Sequence, residues 1–366
     1  MLAFSLLVSL QSASFQASDF EKHVRFLASP EMKGRDNNTP EGLKAAQYIA
    51  DQFRELGLKP AGREGYFQDF TARDQKGRNV LGLLPGEKTG EVIVVAAHHD
   101  ARGVIGGKVQ AGADDNASGV AMVLELARSF KGTTPGRSIL FASFDCEEDG
   151  LLGSREFVKS GLLDMSTVAA MLVFDLIGGD FMEWEKNRIY ALGSEYSAEL
   201  FERIRKDAQE TKDLEVVRGA VALIEPYPDM ARSDYHAFRG KGVPFIFFST
   251  GTPWYYHTEY DTPDRLNYPK MAKAAAFVRR VIAETASDEK RPVFRAPVRV
   301  EEDTATVREA LDRILANKDR LRLTEKQLEA VKTLRADLPD GTTADQKKLQ
   351  QAMILLFTIA RSQGTP

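Results

Sequence analysis

The chain nearly lacks cysteine: Cys146 is its one thiol among 366 residues. No intrachain disulfide can form, and one thiol is too few for a Cys-based zinc knuckle or an iron–sulfur cluster. Any metal must therefore be held by histidine and carboxylate. A dominant charge is also missing. With 49 Lys and Arg against 53 Asp and Glu, there is no global positive field to attract nucleic acid or anionic lipid. Long hydrophobic runs are absent as well, since no segment reaches the roughly 18 apolar residues of a membrane helix. The run LAFSLLVSL at 2–10 is too short to span a bilayer. Followed by the small polar stretch QSASFQAS, it has the pattern of a secretory signal, although no Lys or Arg precedes it. The expectation is a signal peptide over 1–17 and an exported protein, periplasmic or extracellular; the other reading is an N-terminal helix packed on the domain.

What is present is globular. Hydrophobic residues make up 43% of the chain and charged ones 28%, and the length suits two domains or one large domain with an appendage. Ser18 with Glu21 reads as a capping box opening a helix through Phe26. Thr39 and Pro40 open a second helix to about Leu56, with Leu43, Ala46, Ile49, Ala50 and Phe53 at helical spacing and Gly57 at its end. From residue 79 the pattern changes to short continuous apolar runs: VLGLL, VIVVAA, SILFASF, AAMLVF, IYAL and PFIFF. Most alternate with helical stretches near 118–130, 152–160, 197–211 and 269–285. Strands that are apolar at successive positions are buried on both faces. This predicts an α/β fold with a central, mostly parallel mixed sheet covered by helices on both faces. The main domain is expected over 18–290, a Pro-containing linker over 291–302, and a helical accessory module of three charged amphipathic helices over 303–366, with a capping box at Thr324–Gln327 and a turn at 339–341.

In open α/β sheets, ligands sit outside the carboxyl ends of the strands. His98, His99 and Asp100 follow VIVVAA; Asp145, Cys146, Glu147, Glu148 and Asp149 follow SILFASF; Asp175 follows AAMLVF; His257 and Asp261 stand in the loop after PFIFF. GADDNASG at 112–119, carrying Asp114 and Asp115, precedes a helix. Taken singly, an Asp before a helix is an N-cap and a Glu pair is solvated surface. Together at a partly buried edge, unpaired carboxylates repel and lose hydration unless a cation neutralises them. Imidazole mixed with carboxylate suits zinc.

The strings AHHD, GADDNASG, FDCEEDGLLGS, VFDLIG and YHTEYDTPD, in that order, resemble the successive motifs of metallopeptidase family 28, the co-catalytic zinc aminopeptidases of the bacterial leucyl aminopeptidase type. The resemblance covers about residues 20–285, including FLASPEMKGR and SDYHAF, and leaves out the C-terminal helices. It implies a zinc-exopeptidase fold and two Zn2+ ions, a site that cobalt or manganese also fits. His98 and Asp175 would hold one ion, Glu148 and His257 the other, with Asp115 between them and Glu147 as general base. Asp100 is placed to accept the other ring N–H of His98, and Asp261 that of His257. Tyr256 matches a position where a phenol polarises the substrate carbonyl; packing on Tyr255 or Trp254 is its alternative. The Asp115–Asn116 bond is expected to be cis. His99 stands where Tyr is more usual and is expected in the core or at the rim, His236 in a structural or supporting place, and Cys146 as a buried inert thiol. His23 has no neighbouring chemistry in the sequence.

The implied activity is metal-dependent removal of the N-terminal residue from peptides with a free amino terminus, with no nucleic-acid partner and no membrane insertion. The same fold also carries carboxypeptidases and acyl-glutamate hydrolases, for which Arg102 or Arg232 would meet a substrate carboxylate. It further carries single-zinc acyltransferases of the glutaminyl cyclase kind and receptor-like proteins without metal, and the complete ligand set argues against both. No motif encodes side-chain preference, oligomeric state or the purpose of the C-terminal helices.

Overall fold

The computed structural model describes residues 14–182, 184–225, 231–295 and 301–363. The expected signal peptide over 1–17 lies almost wholly outside the described residues. Helix α1 (Ala17–Leu27) starts one residue before Ser18, with Gln16 at its N-cap and no side-chain bond there. The capping box expected at Ser18 is therefore not formed. Helix α2 (Pro40–Glu55) begins as expected: Thr39 Oγ1 accepts the Gly42 amide at 3.0 Å, and Pro40 occupies the first turn, where a missing N–H costs nothing. Leu43 departs from its expected core position and is 45% exposed. The buried stripe of Ala45, Ala46, Ile49, Ala50 and Phe53 is complete without it.

The remaining elements follow in order: β1 (Lys59–Pro60), β2 (Phe67–Ala72), β3 (Gln75–Leu84), β4 (Lys88–His98), a small hairpin of β5 (Val104–Ile105) and β6 (Lys108–Val109), α3 (Gly119–Ser129), β7 (Arg137–Phe144), α4 (Leu152–Lys159), β8 (Val168–Phe174), β9 (Arg188–Leu192), α5 (Ala198–Glu210), β10 (Glu215–Gly219), α6 (Tyr235–Arg239), β11 (Phe245–Ser249), α7 (Tyr268–Ser287), α8 (Glu301–Ala316), α9 (Glu325–Ala336) and α10 (Gln346–Ser362). Among the described residues the main sheet runs β1-β3-β7-β4-β8-β11-β9-β10, with β2 also paired to β3. Strands β7, β4, β8 and β11 are parallel, whereas β3 and β9 run antiparallel to β7 and β11.

The apolar runs are buried on both faces, as two-sided cover requires. On β4, Ile93, Val95 and Ala97 enter the core with α1, α2, α3 and α7, while Val92, Val94 and Ala96 enter the core with α4 and α6. This is the period-two alternation of a strand with both sides occupied. A third core, with Val307, Leu311, Val331, Leu356 and Ile359, unites α8, α9 and α10 and closes on Met182 and Leu223 of the main domain. Arg188 bonds Glu309 at 2.7 Å, and the Asp303 carboxylate accepts the Ala220 amide at 2.8 Å. The capping box at Thr324–Gln327 is formed. No helix of the described residues is long and apolar enough to cross a membrane.

Candidate metal centre

The order β7-β4-β8-β11 sets four parallel strands side by side, so their carboxyl ends open onto one edge. His98 is the last residue of β4, Asp175 follows β8 directly, Glu147 and Glu148 lie in the turn after β7, and His257 lies in the loop after β11. Asp115 comes from the kinked turn 113–118 that leads into α3. Several turns take a left-handed backbone at non-glycine residues: Cys146 (φ 56°) before Glu147, Leu176 (φ 55°) after Asp175, and His257 itself (φ 58°). Such conformations are disfavoured for residues with a Cβ and gather where structure aims a side chain. The Asp115–Asn116 bond is cis, as expected.

Two groups of potential ligands result, His98–Asp115–Asp175 and Asp115–Glu148–His257, joined at Asp115. Its Oδ1 lies 3.3 Å from His98 Nε2 and its Oδ2 3.0 Å from His257 Nε2. Asp175 Oδ1 is 3.6 Å from His98 Nε2, and Glu148 Oε2 is 3.1 Å from His257 Nε2. Glu147 stands further out, its Oε2 3.9 Å from His98 Nε2.

Charge is crowded here. Burial and the neighbouring Asp175, Asp234 and Glu148 push the Glu147 carboxyl well above the ordinary range, against the pull of His98. Glu148 is pushed up to about 7 by burial and by Asp115, and burial raises Asp175 too. Burial acts the same way on Asp115, but His257 and His98 outweigh it and hold that carboxyl below its usual value. Burial would lower both histidines; the surrounding carboxylates instead raise His98 well above its usual value and His257 to about 9. Protons on the acids and imidazoles thus relieve the repulsion, and a divalent cation would take over that task. The unsatisfied atoms agree with this. His98 Nε2, His257 Nε2 and Glu148 Oε1 are buried without a hydrogen-bond partner, and each is a donor of the kind zinc binds.

The surrounding polar groups aim these ligands. The Asp100 carboxylate accepts the Glu147 and Glu148 amides at 3.1 Å each, and its Oδ1 lies 3.3 Å from His98 Nδ1. Asp261 serves differently from the expectation. Its carboxylate accepts the amides of Asp114 (2.7 Å) and Asp115 (3.1 Å), and the partner of His257 Nδ1 is Arg102, at 2.7 Å. Asp261 therefore positions Asp115 through its backbone. Asp114 turns away from the centre to accept the Gly178 and Gly179 amides at 2.8 and 2.9 Å. A Cβ at Gly179 would collide with that carboxylate and with the Tyr255 hydroxyl, so only glycine permits the approach.

Tyr256 stacks on His257 with ring centroids 3.7 Å apart, not on Tyr255 or Trp254, and lines the same cleft as Asp115, Glu147 and Asp175. Burial raises its phenol above the ordinary value, which keeps the O–H as a donor. His99 lies in the core, its Nδ1 3.0 Å from Ser143 Oγ, and burial lowers it to about 4. His236 meets Arg239 at 3.0 Å on α6, away from both ligand groups. Cys146 is buried with its thiol pushed up by burial, and its sulfur takes an N–H from Asn37. His23 meets residues distant in sequence, Tyr48 OH at 2.7 Å and Glu125 at 3.2 Å. Arg232 donates to the Ile224 carbonyl and lines the cleft.

Sequence reasoning missed Arg35. Its guanidinium is fully buried and donates to the carbonyls of His99 (2.7 Å), Leu27 (3.2 Å), Ala111 (2.5 Å), Gly112 (2.6 Å) and Asp115 (3.5 Å), tying the end of β4 to the Asp115 turn. Burial lowers it to about 10, so it stays charged, and Asp261, Asp115, Asp100 and Glu148 surround it as counter-charges. The stretch FLASPEMKGR contains it, but an arginine among polar residues carries no mark of burial.

The mixed sheet covered by helices is a fold shared with solved structures. LapB from Legionella pneumophila superposes with a TM-score of 0.62 at 24% identity, over 75% of this chain and 73% of that one. Residues 79–282 match Peptidase family M28, and the chain belongs to that family. Among curated relatives, the alkaline phosphatase isozyme conversion protein of Escherichia coli is 28% identical over 199 residues, 49% of this chain and 57% of that protein. Aminopeptidase YwaD of Bacillus subtilis is 26% identical over 233 residues, 60% of this chain and 47% of its own length. The chain thus spans about half the length of these curated relatives.

Proposed function

We propose that this M28 chain is an aminopeptidase that removes the N-terminal residue of peptides at a two-ion zinc centre, with Glu147 as the general base. The observation that carries the reading is the placement of Asp115, whose two oxygens face His98 and His257 separately while Glu147 remains outside both ligand groups, on the cleft wall. The proposed ligands are His98 and Asp175 for one ion, Glu148 and His257 for the other, and Asp115 for both. When bound, the ions supply an acidified water and polarise the peptide carbonyl.

The chain's own groups do the rest. Glu147 accepts the proton of the attacking water as the new C–O bond forms, and delivers it to the amide nitrogen as the C–N bond breaks. Tyr256, held flat against His257, donates its hydroxyl proton in a hydrogen bond to the carbonyl oxygen as charge builds there. Asp100 and Asp261 fix the backbone of Glu147–Glu148 and of Asp114–Asp115, so little reorganisation accompanies the reaction. The free α-amine of the substrate is drawn to the carboxylate-rich edge. Export to the periplasm or the extracellular space is part of the proposal and rests on LAFSLLVSL at 2–10.

The test compares leucine p-nitroanilide with its N-acetylated form, before and after chelation with zinc add-back. Metal-dependent release from the free-amine substrate alone is the expected result. Equal release from both, or none from either, overturns the aminopeptidase reading.

A further inference from the structure

A guanidinium stands at the edge of the second ligand group. Arg102 Nη1 lies 2.7 Å from His257 Nδ1, and Arg102 shares a recess with Asp115, Glu148 and His257. The side chain is exposed, and among the described residues it pairs with no carboxylate. Lys108 on the hairpin that follows is paired with Glu259, and Arg188 and Arg313 of the cleft are held by Glu215 and Glu309. A guanidinium carries five N–H donors and no acceptor, so contact with one imidazole nitrogen leaves most of it unused. That contact is also conditional. With an ion on His257 Nε2 the ring proton sits on Nδ1, which then donates and no longer accepts from Arg102.

The backbone beneath Arg102 is fixed. Gly103 donates its N–H to the Gly34 carbonyl at 3.1 Å and its carbonyl accepts the Gln110 amide at 2.9 Å. Its φ is 67°, and a Cβ there would come within 2.8 Å of the Asp36 Cβ, so the turn is closed to other residues. The Lys108–Glu259 pair clips this segment to the loop that carries His257. Arg102 can therefore turn its head but not leave the rim.

Space divides the substrate. A cleft of about 360 Å3 opens on Asp115, Glu147, Asp175 and Tyr256, whereas the recess beside Arg102 holds about 10 Å3. Only the cleft has room for the first residue of a peptide, which directs the second residue out past Glu148 and His257. In a dipeptide the terminal carboxylate lies at most about 4 Å from the carbon under attack. Arg102 stands one imidazole ring and one hydrogen bond beyond the ligand nitrogen of His257. In a longer peptide a neutral amide would occupy the place of that carboxylate.

We propose that Arg102 binds the C-terminal carboxylate of a dipeptide, so that this peptidase prefers dipeptides to longer peptides. This rests on the aminopeptidase reading. The planar fork of the guanidinium matches both carboxylate oxygens, and Arg102 acts as a specificity residue for the second half of the substrate.

The test is the ratio of kcat/KM for leucyl-alanine over leucyl-alaninamide, which differ only at the terminal carboxylate. The wild type should favour the free acid, and Arg102→Gln should lower the ratio roughly 10- to 100-fold, the worth of a hydrogen bond to a charged group. Arg102→Lys should recover part of the ratio, because the charge stays while the fork is lost. A purely structural arginine would change both peptides alike. A wild-type ratio near one, or the same ratio in Arg102→Gln, overturns the proposal. In the α-amide of leucyl-aspartate the carboxylate is on the side chain, and its kcat/KM should match that of leucyl-alaninamide; a value equal to that of leucyl-alanine overturns the C-terminal assignment. If neither alanine peptide is cleaved, reduced leucyl-alanine, with CH2 in place of the leucine carbonyl, and its amide report on binding through thermal unfolding. A larger shift for the acid in the wild type, lost in Arg102→Gln, keeps the carboxylate site and discards the aminopeptidase reading; equal shifts overturn the site.

Discussion

Asp261 holds Asp115 by the backbone: its Oδ2 accepts the Asp115 amide at 3.1 Å, which leaves both oxygens of the Asp115 side chain to the imidazoles. The centre is thus assembled from outside inwards, with buried carboxylates gripping main-chain N–H groups so that other carboxylates remain available.

Glu147→Gln should abolish turnover while bound metal is retained. General bases contribute roughly 10²- to 10⁴-fold, and Glu147 belongs to neither ligand group. Metal counted per chain alongside kcat decides the matter; a variant that loses its metal together with its activity would make Glu147 a ligand.

Asp100→Asn should weaken metal binding without unfolding the chain. The Asp100 carboxylate holds two amides and stands beside His98 Nδ1, and an amide group replaces one acceptor oxygen by a donor. Loss of such support typically costs roughly 10- to 100-fold in metal affinity, readable by competition with a chelator.

Arg35→Met should destabilise the chain by at least about 3 kcal/mol, because it strands buried carbonyls that the guanidinium now satisfies. Arg35→Lys should recover only part of this, since a single ammonium cannot reproduce the fork. Urea unfolding of the three chains gives the order.

Glu195, which belongs to neither potential ligand group, predicts a pH effect of its own. Its Oε1 accepts the Val221 amide at 2.7 Å, its Oε2 is buried without a partner, and burial with nearby Asp303 pushes it up to about 8. In the unfolded chain the carboxyl ionises near 4.3. Between those values the folded state holds the extra proton, so its contribution to stability is full below about pH 4 and is lost as pH rises to about 8. Glu195→Gln keeps the acceptor and removes the titration. Its stability relative to wild type should rise by about 1 kcal/mol per pH unit across that window and level off above it; a constant difference from pH 5 to 9 would contradict the buried carboxyl.

Much of this was legible in the sequence because it is written locally. VIVVAA, SILFASF, AAMLVF and PFIFF are apolar at successive positions, and all four became central strands covered on both sides. His98 and Asp175 directly after such runs, and Glu148 and His257 in the segments that follow them, lie at strand ends, which with the family motifs is how they could be singled out. Helix boundaries were less legible: Ser18 lies inside α1, and Leu43 faces solvent, because neighbouring residues already filled the buried stripe.

By itself the sequence determined the class of fold and the family, since hydrophobic periodicity and short motifs act over a few neighbouring residues. Tertiary structure alone decided which carboxylate grips which amide, that Arg35 is buried among carbonyls, and that α10 stands across a cleft from Glu147. Those relations join residues up to about two hundred positions apart. Their partners are chosen by packing of whole layers, which no local pattern records.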